Sequence, residues 1–152
     1  MIAHLIATWF LCGYAPVGPG TAGSIAAIAL AWIIHRLTGI SGTTFAFLAV
    51  LLALPGIWAA EIEARRSGNK DPQIVVVDEV IGQWVTLAGA VALNWKSWLI
   101  ALVLFRIFDM WKPWPIRRLE KLPGGVGIVA DDVLAGMYAA VILFAAGWYH
   151  LY

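Results

Sequence analysis

From Thr44 to Ala64 the chain carries no charge until Glu61 and Glu63, at the very end of the run. A helix of about 20 such residues is what crosses the hydrocarbon core of a bilayer, because a helix satisfies every backbone group without water. A segment of this kind does not belong in an ordinary soluble core. The rest of the chain follows suit, with 62% hydrophobic residues against 12% charged and a mean hydropathy of +0.84, far outside the soluble average.

Breakers divide the remaining apolar sequence. Ile2 to Cys12 is too short to span and fits an interfacial or half-inserted helix. It lacks a basic leader region and a clear cleavage site, so it is expected to stay in the mature protein. The lone Cys12 makes an intramolecular disulfide impossible and reads as a small buried hydrophobe. Pro16 to Ser24, with two prolines and three glycines, reads as a loop, and Thr21 or Ser24 is the expected N-cap of a helix from about Ile25 to Arg36. The run to Ala64 follows, with Pro55-Gly56 as an expected kink. Two shorter segments, about Glu79 to Leu93 and Ser97 to Asp109, reach only about 20 Å, so they either span a thinned region or pair as a re-entrant hairpin. The last run extends from Asp132 to about Tyr149. Ile74 to Val77 looks strand-like, but one run without a partner cannot form a sheet. The expectation is an all-α, multi-helix integral membrane bundle of about five apolar helices plus a short N-terminal interfacial helix. Residues 1–152 are expected to form a single membrane-embedded domain.

If each main apolar segment reverses the chain, Arg65, Arg66, Lys70, Arg106, Lys112, Arg117, Arg118 and Lys121 share one side and only Arg36 and Lys96 lie on the other. The positive-inside rule makes the first side cytoplasmic. The same alternation brings Gly18 to Ser24, Glu61/Glu63, Asp71, Asp78/Glu79, Arg106/Asp109/Lys112 and Asp131/Asp132 to that face.

Each of these groups has an ordinary reading. Asp78/Glu79 and Asp131/Asp132 stand at expected helix starts, where a carboxylate caps free N–H groups. A cap needs one acid, however, and adjacent pairs at two helix starts repel one another in a way that a bound cation relieves. Arg106 and Asp109 share a helical face and form a simple ion pair, yet with Lys112 they also suit a phosphate beside a divalent metal. Gly124-Gly125-Val126-Gly127 and Gly18-Pro19-Gly20-Thr21 read as turns, or as loops whose N–H groups cradle a phosphate. Arg117, Arg118 and Lys121, interleaved with Trp111 and Trp114, read as an anchor for anionic lipid. Arg65 and Arg66 can pair with Glu61 and Glu63 along a helix, and His4, His35 and His150 show no ligand spacing.

These blocks, taken in order, resemble the bacterial phosphatidylglycerophosphatase A family. The likeness lies in Gly18-Pro19-Gly20-Thr21-Ala22-Gly23-Ser24, in Lys70-Asp71-Pro72 leading to Val77-Asp78-Glu79-Val80-Ile81-Gly82, and in Phe105-Arg106-Ile107-Phe108-Asp109 with Lys112-Pro113-Trp114-Pro115-Ile116. It continues through Gly124-Gly125-Val126-Gly127-Ile128-Val129-Ala130-Asp131-Asp132 to Ala135-Gly136. The resemblance implies a magnesium-dependent phosphatase of the inner membrane that removes the terminal phosphate of phosphatidylglycerophosphate to give phosphatidylglycerol.

Physical inference then distributes the roles. Asp78, Glu79, Asp109, Asp131 and Asp132 supply oxygen ligands and acceptors around one or two Mg²⁺, and Arg106 and Lys112 neutralise the phosphoryl group. The N–H groups and hydroxyls of Gly20, Thr21, Ser24, Gly124, Gly125 and Gly127 are expected to hold the substrate phosphate. Water activated by the metal is the expected nucleophile, with an aspartyl-phosphate intermediate as the alternative. The expected partners are the lipid substrate and the surrounding lipids, with no nucleic acid and no protein partner. A small cation transporter would spread acids through the membrane depth, and a non-catalytic assembly protein would tolerate loss of Asp109 or Asp131.

Overall fold

The computed structural model describes Met1–Tyr152 and is built of helices alone. Glycines and one asparagine set the helix boundaries at Gly18, Gly39, Gly68 and Asn94. Helix α1 (Ile2–Ala7) is followed by a 3₁₀ turn at Cys12–Tyr14, and α2 (Pro19–Thr38) begins with Gly18 as N-cap at φ +61° and Pro19 in the first turn. Gly39, at φ +72°, closes α2 by donating its N–H to the His35 carbonyl. Helix α3 (Gly42–Ser67) runs through Pro55 and stops at Gly68, also left-handed. Helices α4 (Val77–Leu87) and α5 (Trp95–Trp111) follow. Asn94 opens α5 with a capping box, its side chain accepting from the N–H groups of Lys96 and Ser97 while Ser97 Oγ accepts from the Asn94 N–H. The short α6 (Ile116–Leu119) leads to α7 (Gly124–Trp148).

The five expected apolar segments correspond to α2, α3, α4, α5 and α7, but only α2, α3 and α7 are long and apolar enough to cross a membrane. Helix α4 spans about 16 Å and α5 about 26 Å at the helical rise. The expected loop over Gly18 to Ser24 is largely the first turns of α2, so neither Thr21 nor Ser24 is its cap. Ser24 Oγ instead donates to the Gly20 carbonyl. The last helix starts at Gly124 rather than Asp132, which places Asp131 and Asp132 two turns inside it. Ile74–Val77 forms no strand; the Val76 N–H donates to the Ala7 carbonyl, tying α1 to the start of α4.

Helix α4 lies at the centre, which explains why nine of its residues are buried. Trp84 Nε1 donates to the Ala27 carbonyl of α2, Ile81 packs on Gly56 of α3, and Gly82 meets Phe105 of α5 and Asp132 of α7. Lipid gives helices no hydrophobic reason to associate, so close packing of small residues has to do so. Gly82 and Gly136 supply the closest approach: a Cβ on Gly136 would collide with the Gly82 backbone, and a Cβ on Gly82 would come within 2.6 Å of the Asp132 carbonyl oxygen. Outward residues such as Val50, Leu54, Val141 and Phe144 stay exposed on the protein and form the lipid-facing surface.

Candidate metal and phosphate site

Where the first turns of α2 and α4 and the last turn of α5 meet α7 two turns from its start, polar side chains surround a cavity of about 480 Å³. Helix α4 brings Asp78 and Glu79, α5 brings Arg106 and Asp109, Lys112 caps α5, and α7 brings Asp131 and Asp132. Five carboxylates, four of them on buried residues, face two cations, with Asp71 and Gln73 exposed at the mouth.

The five acids fall into two sets. Asp109 pairs with Arg106, and Asp131 Oδ2 accepts from Lys112 Nζ at 2.6 Å. Glu120 Oε1 lies 3.5 Å from the same ammonium. Burial opposes the charge on Lys112, but the hydrogen bond and charge of Asp131, with Asp132 and Glu120, outweigh it and hold the ammonium pKa above its ordinary value. Lys112 therefore stays charged. Replacing it with Met leaves Asp131 buried without a partner, and is expected to lower stability by about 2 to 3 kcal/mol. Lys112→Arg should recover most of this in detergent unfolding curves.

Asp78, Glu79 and Asp132 form the other set. Each offers a carboxylate oxygen, and these lie within 4.8 Å of one another. Of the three, only Glu79 has a cation within ion-pair distance, Arg106 Nη1 at 3.7 Å. Asp78 Oδ1, Glu79 Oε2 and Asp132 Oδ2 are buried with no hydrogen-bond partner. Buried carboxylate oxygens in that condition are costly. An all-oxygen set of this charge and spacing fits a hard divalent cation, which would relieve both the repulsion and the unmet acceptors. Capping does not account for them: α4 has no side-chain cap, and Asp132 lies well inside α7. Arg106, which lines the cavity, likewise has its Nε buried without a hydrogen-bond partner.

Other expected contributors lie elsewhere. Gly20 lines the cavity, where a Cβ would strike Glu79, but Thr21 is exposed outside it and Ser24 is buried below. Gly124 and Gly125 turn away from the acids: the Gly125 N–H donates to Glu61 Oε2 at 2.7 Å, and Glu61 Oε1 accepts from Arg65 Nε. Gly127 faces a neighbouring basic cavity. Those glycines let α7 pack closely on Ile57 and Leu122. His4 is not isolated, since its Nδ1 lies 3.3 Å from buried Glu63, which also accepts from Arg66. Asp71 and Gln73 line the cavity beyond the expected site residues; the Lys70-Asp71-Pro72 break before α4 is the sequence signal for Asp71, whereas nothing in the sequence singles out Gln73.

The family model for phosphatidylglycerophosphatase A matches residues 5–147. Among curated proteins, the chain is 41% identical to a putative phosphatidylinositol-3-phosphatase of Bacteroides thetaiotaomicron, over 95% of this chain and 92% of that protein. It is 38% identical to the phosphatidylglycerophosphatase A of Escherichia coli, over 95% of this chain and 83% of that protein. The Haemophilus influenzae phosphatidylglycerophosphatase A is also 38% identical, over 97% and 90% respectively. No solved structure matches the chain.

Proposed function

The chain belongs to the phosphatidylglycerophosphatase A family, and from that membership and the site geometry we propose that it is a membrane phosphatase converting phosphatidylglycerophosphate to phosphatidylglycerol and phosphate. The observation that carries the mechanism is a trio of carboxylates, each with one buried oxygen lacking a hydrogen-bond partner, beside Arg106 and Lys112. Asp78, Glu79 and Asp132 would hold the metal, which we assign as Mg²⁺ because the donors are hard oxygens. When bound there, the ion supplies Lewis-acid polarisation of the phosphoryl oxygens and lowers the pKa of water.

The protein's own groups bind and orient the ester. Arg106 Nε and Lys112 Nζ neutralise the non-bridging oxygens, whose charge must be held as the bond from phosphorus to the glycerol oxygen breaks. Asp109 fixes Arg106 in place, and Asp131 fixes Lys112 and holds it charged. Gly20 leaves room for the phosphate next to Glu79, where any side chain would intrude.

Eight of the ten Lys and Arg residues lie in segments at the site end of the bundle, which supports a cytoplasmic site in a multi-pass protein of the bacterial inner membrane. Residues 1–152 would then act as one catalytic domain, with the substrate's acyl chains remaining in the bilayer. The nine acids all fall in segments at that same end, an arrangement that disfavours an ion path through the membrane. The name of the Bacteroides relative favours a second substrate, phosphatidylinositol 3-phosphate, which also carries a phosphomonoester on a polyol headgroup.

Phosphate release from both lipids by the purified protein in mixed micelles tests the reading. Activity on phosphatidylglycerophosphate should require Mg²⁺, vanish with EDTA and return on adding the ion. A folded protein that releases phosphate from neither lipid would overturn the proposal.

A further inference from the structure

Beside the acidic cavity lies a second one of about 420 Å³, and the two share Asp71, Ile128 and Asp131 along their common border. Its character is opposite. Lys70, Arg117, Arg118 and Lys121 line it, and the last three make no ion pair with any carboxylate. Two of the three acids lining it are engaged elsewhere, since Asp131 and the Glu120 carboxylate both turn to Lys112, while Asp71 stays at the border with the acidic cavity; the Glu120 carbonyl accepts from Lys70 Nζ at 2.7 Å.

These cations are also held. Arg117 Nη2 donates to the Trp111 carbonyl at 3.4 Å, and the Arg118 guanidinium stacks over the Trp114 ring at 5.5 Å. Trp111 and Trp114 are 63% and 72% exposed, as suits rings lying at the headgroup level of a bilayer. A general attraction to anionic lipid needs neither a cavity nor a border shared with the reaction centre.

We propose that the cavity formed by Arg117, Arg118, Lys121 and Lys70 is a second anion subsite, which takes the phosphodiester of the same glycerophospholipid whose terminal phosphomonoester enters the acidic cavity. The inference rests on the lipid phosphatase reading and adds the element that selects the substrate. A headgroup with two phosphates joined by a short polyol reaches from one cavity to the other across Asp131 and Ile128. Guanidinium groups suit the diester because they bind phosphate oxygens through paired donors, and the tryptophans beside them meet the glycerol and the first methylenes. A phosphomonoester without a diester fills only half of this arrangement.

The test uses the full-length protein in detergent, comparing wild type with Arg117→Gln/Arg118→Gln/Lys121→Gln. Two inhibitors of phosphatidylglycerophosphate hydrolysis separate the cavities: dihexanoyl-phosphatidylglycerol, which has only the diester, and inorganic phosphate, which mimics only the monoester. The triple variant should raise KM and the Ki of the short-chain diester about tenfold, the scale of one charge-assisted contact. Both kcat and the Ki of phosphate should stay at wild-type values, which also certifies the variant as folded. An equal rise in both Ki values would show a general field and overturn the subsite. So would a KM change confined to vesicles with no change in the Ki of the soluble diester, since that reports adsorption to bulk lipid. Calorimetric binding of dihexanoyl-phosphatidylglycerol needs no turnover. An inactive wild type would therefore remove the phosphatase reading, while loss of binding in the variant would still decide the subsite.

Discussion

Asp132→Asn is expected to lower phosphate release about a thousandfold or more, because it removes one of three carboxylates that would hold the metal and so several kcal/mol of transition-state stabilisation. Stability supplies the discriminating measurement. Wild-type protein should melt at a higher temperature with Mg²⁺ than with EDTA, since a ligand bound only by the folded state stabilises it. Asp132→Asn should lose that increment. Without metal, the variant should melt no lower than wild type, because the substitution relieves repulsion from Asp78 and Glu79 and breaks no hydrogen bond at Oδ2. A purely structural acid predicts the reverse: a less stable protein with its cation response intact. Asp78→Asn should behave in the same way.

Gly82→Val is expected to do comparable damage without touching an acid. A Cβ at this position would meet Phe105 and come within 2.6 Å of the Asp132 carbonyl oxygen. The helices have no room to absorb it, as Gly136 of α7 already rests on the Gly82 backbone. Helix α4 must move away from α7, carrying Asp78 and Glu79 from Asp132. Overpacking of this kind costs about 1 to 3 kcal/mol, and a displacement near 1 Å at a reaction centre costs about a hundredfold in rate. The variant should therefore lose both activity and the stabilisation by Mg²⁺ while remaining helical by circular dichroism. Full activity with an unchanged cation response would show that the crossing does not set the site.

The contrast between those two positions explains what the sequence could disclose. Asp78, Glu79 and Asp132 were legible because acidic pairs in so apolar a chain demand compensation, and alternating segments bring their ends together. Arg106 with Asp109 and Glu61 with Arg65 follow from helical spacing alone, and the structure pairs both. Glycine was the ambiguous residue. Gly20, Gly23, Gly125 and Gly127 look like turn formers in sequence, but in the structure they lie within helices, where another chain segment approaches too closely for a Cβ. For Gly20, Gly23 and Gly125 that choice is made by Glu79, Val76 and Ile57, residues distant in sequence, so no local rule could find it. The same shift moved the start of α7 to Gly124 and removed capping as an account of Asp131 and Asp132.

The partners of Lys112 show a second kind of limit. Its nearest acid in sequence is Asp109, yet the structure gives Asp109 to Arg106 and sends Lys112 to Asp131 and Glu120. Charge counting predicts that such pairs exist, but only the approach of α7 decides their membership.

The division of the carboxylates between α4 and α7 has a consequence for biosynthesis. Asp78 and Glu79 leave the ribosome more than fifty residues before Asp132, and Asp132 sits in the last helix of the chain. A chain halted before α7 already has two of its three helices long enough to span, yet it lacks a carboxylate from the trio and Asp131, the nearer partner of Lys112. On the proposed assignment of the trio, membrane insertion precedes chemical competence, and a prematurely terminated product would be an inert lodger in the bilayer rather than a half-working hydrolase.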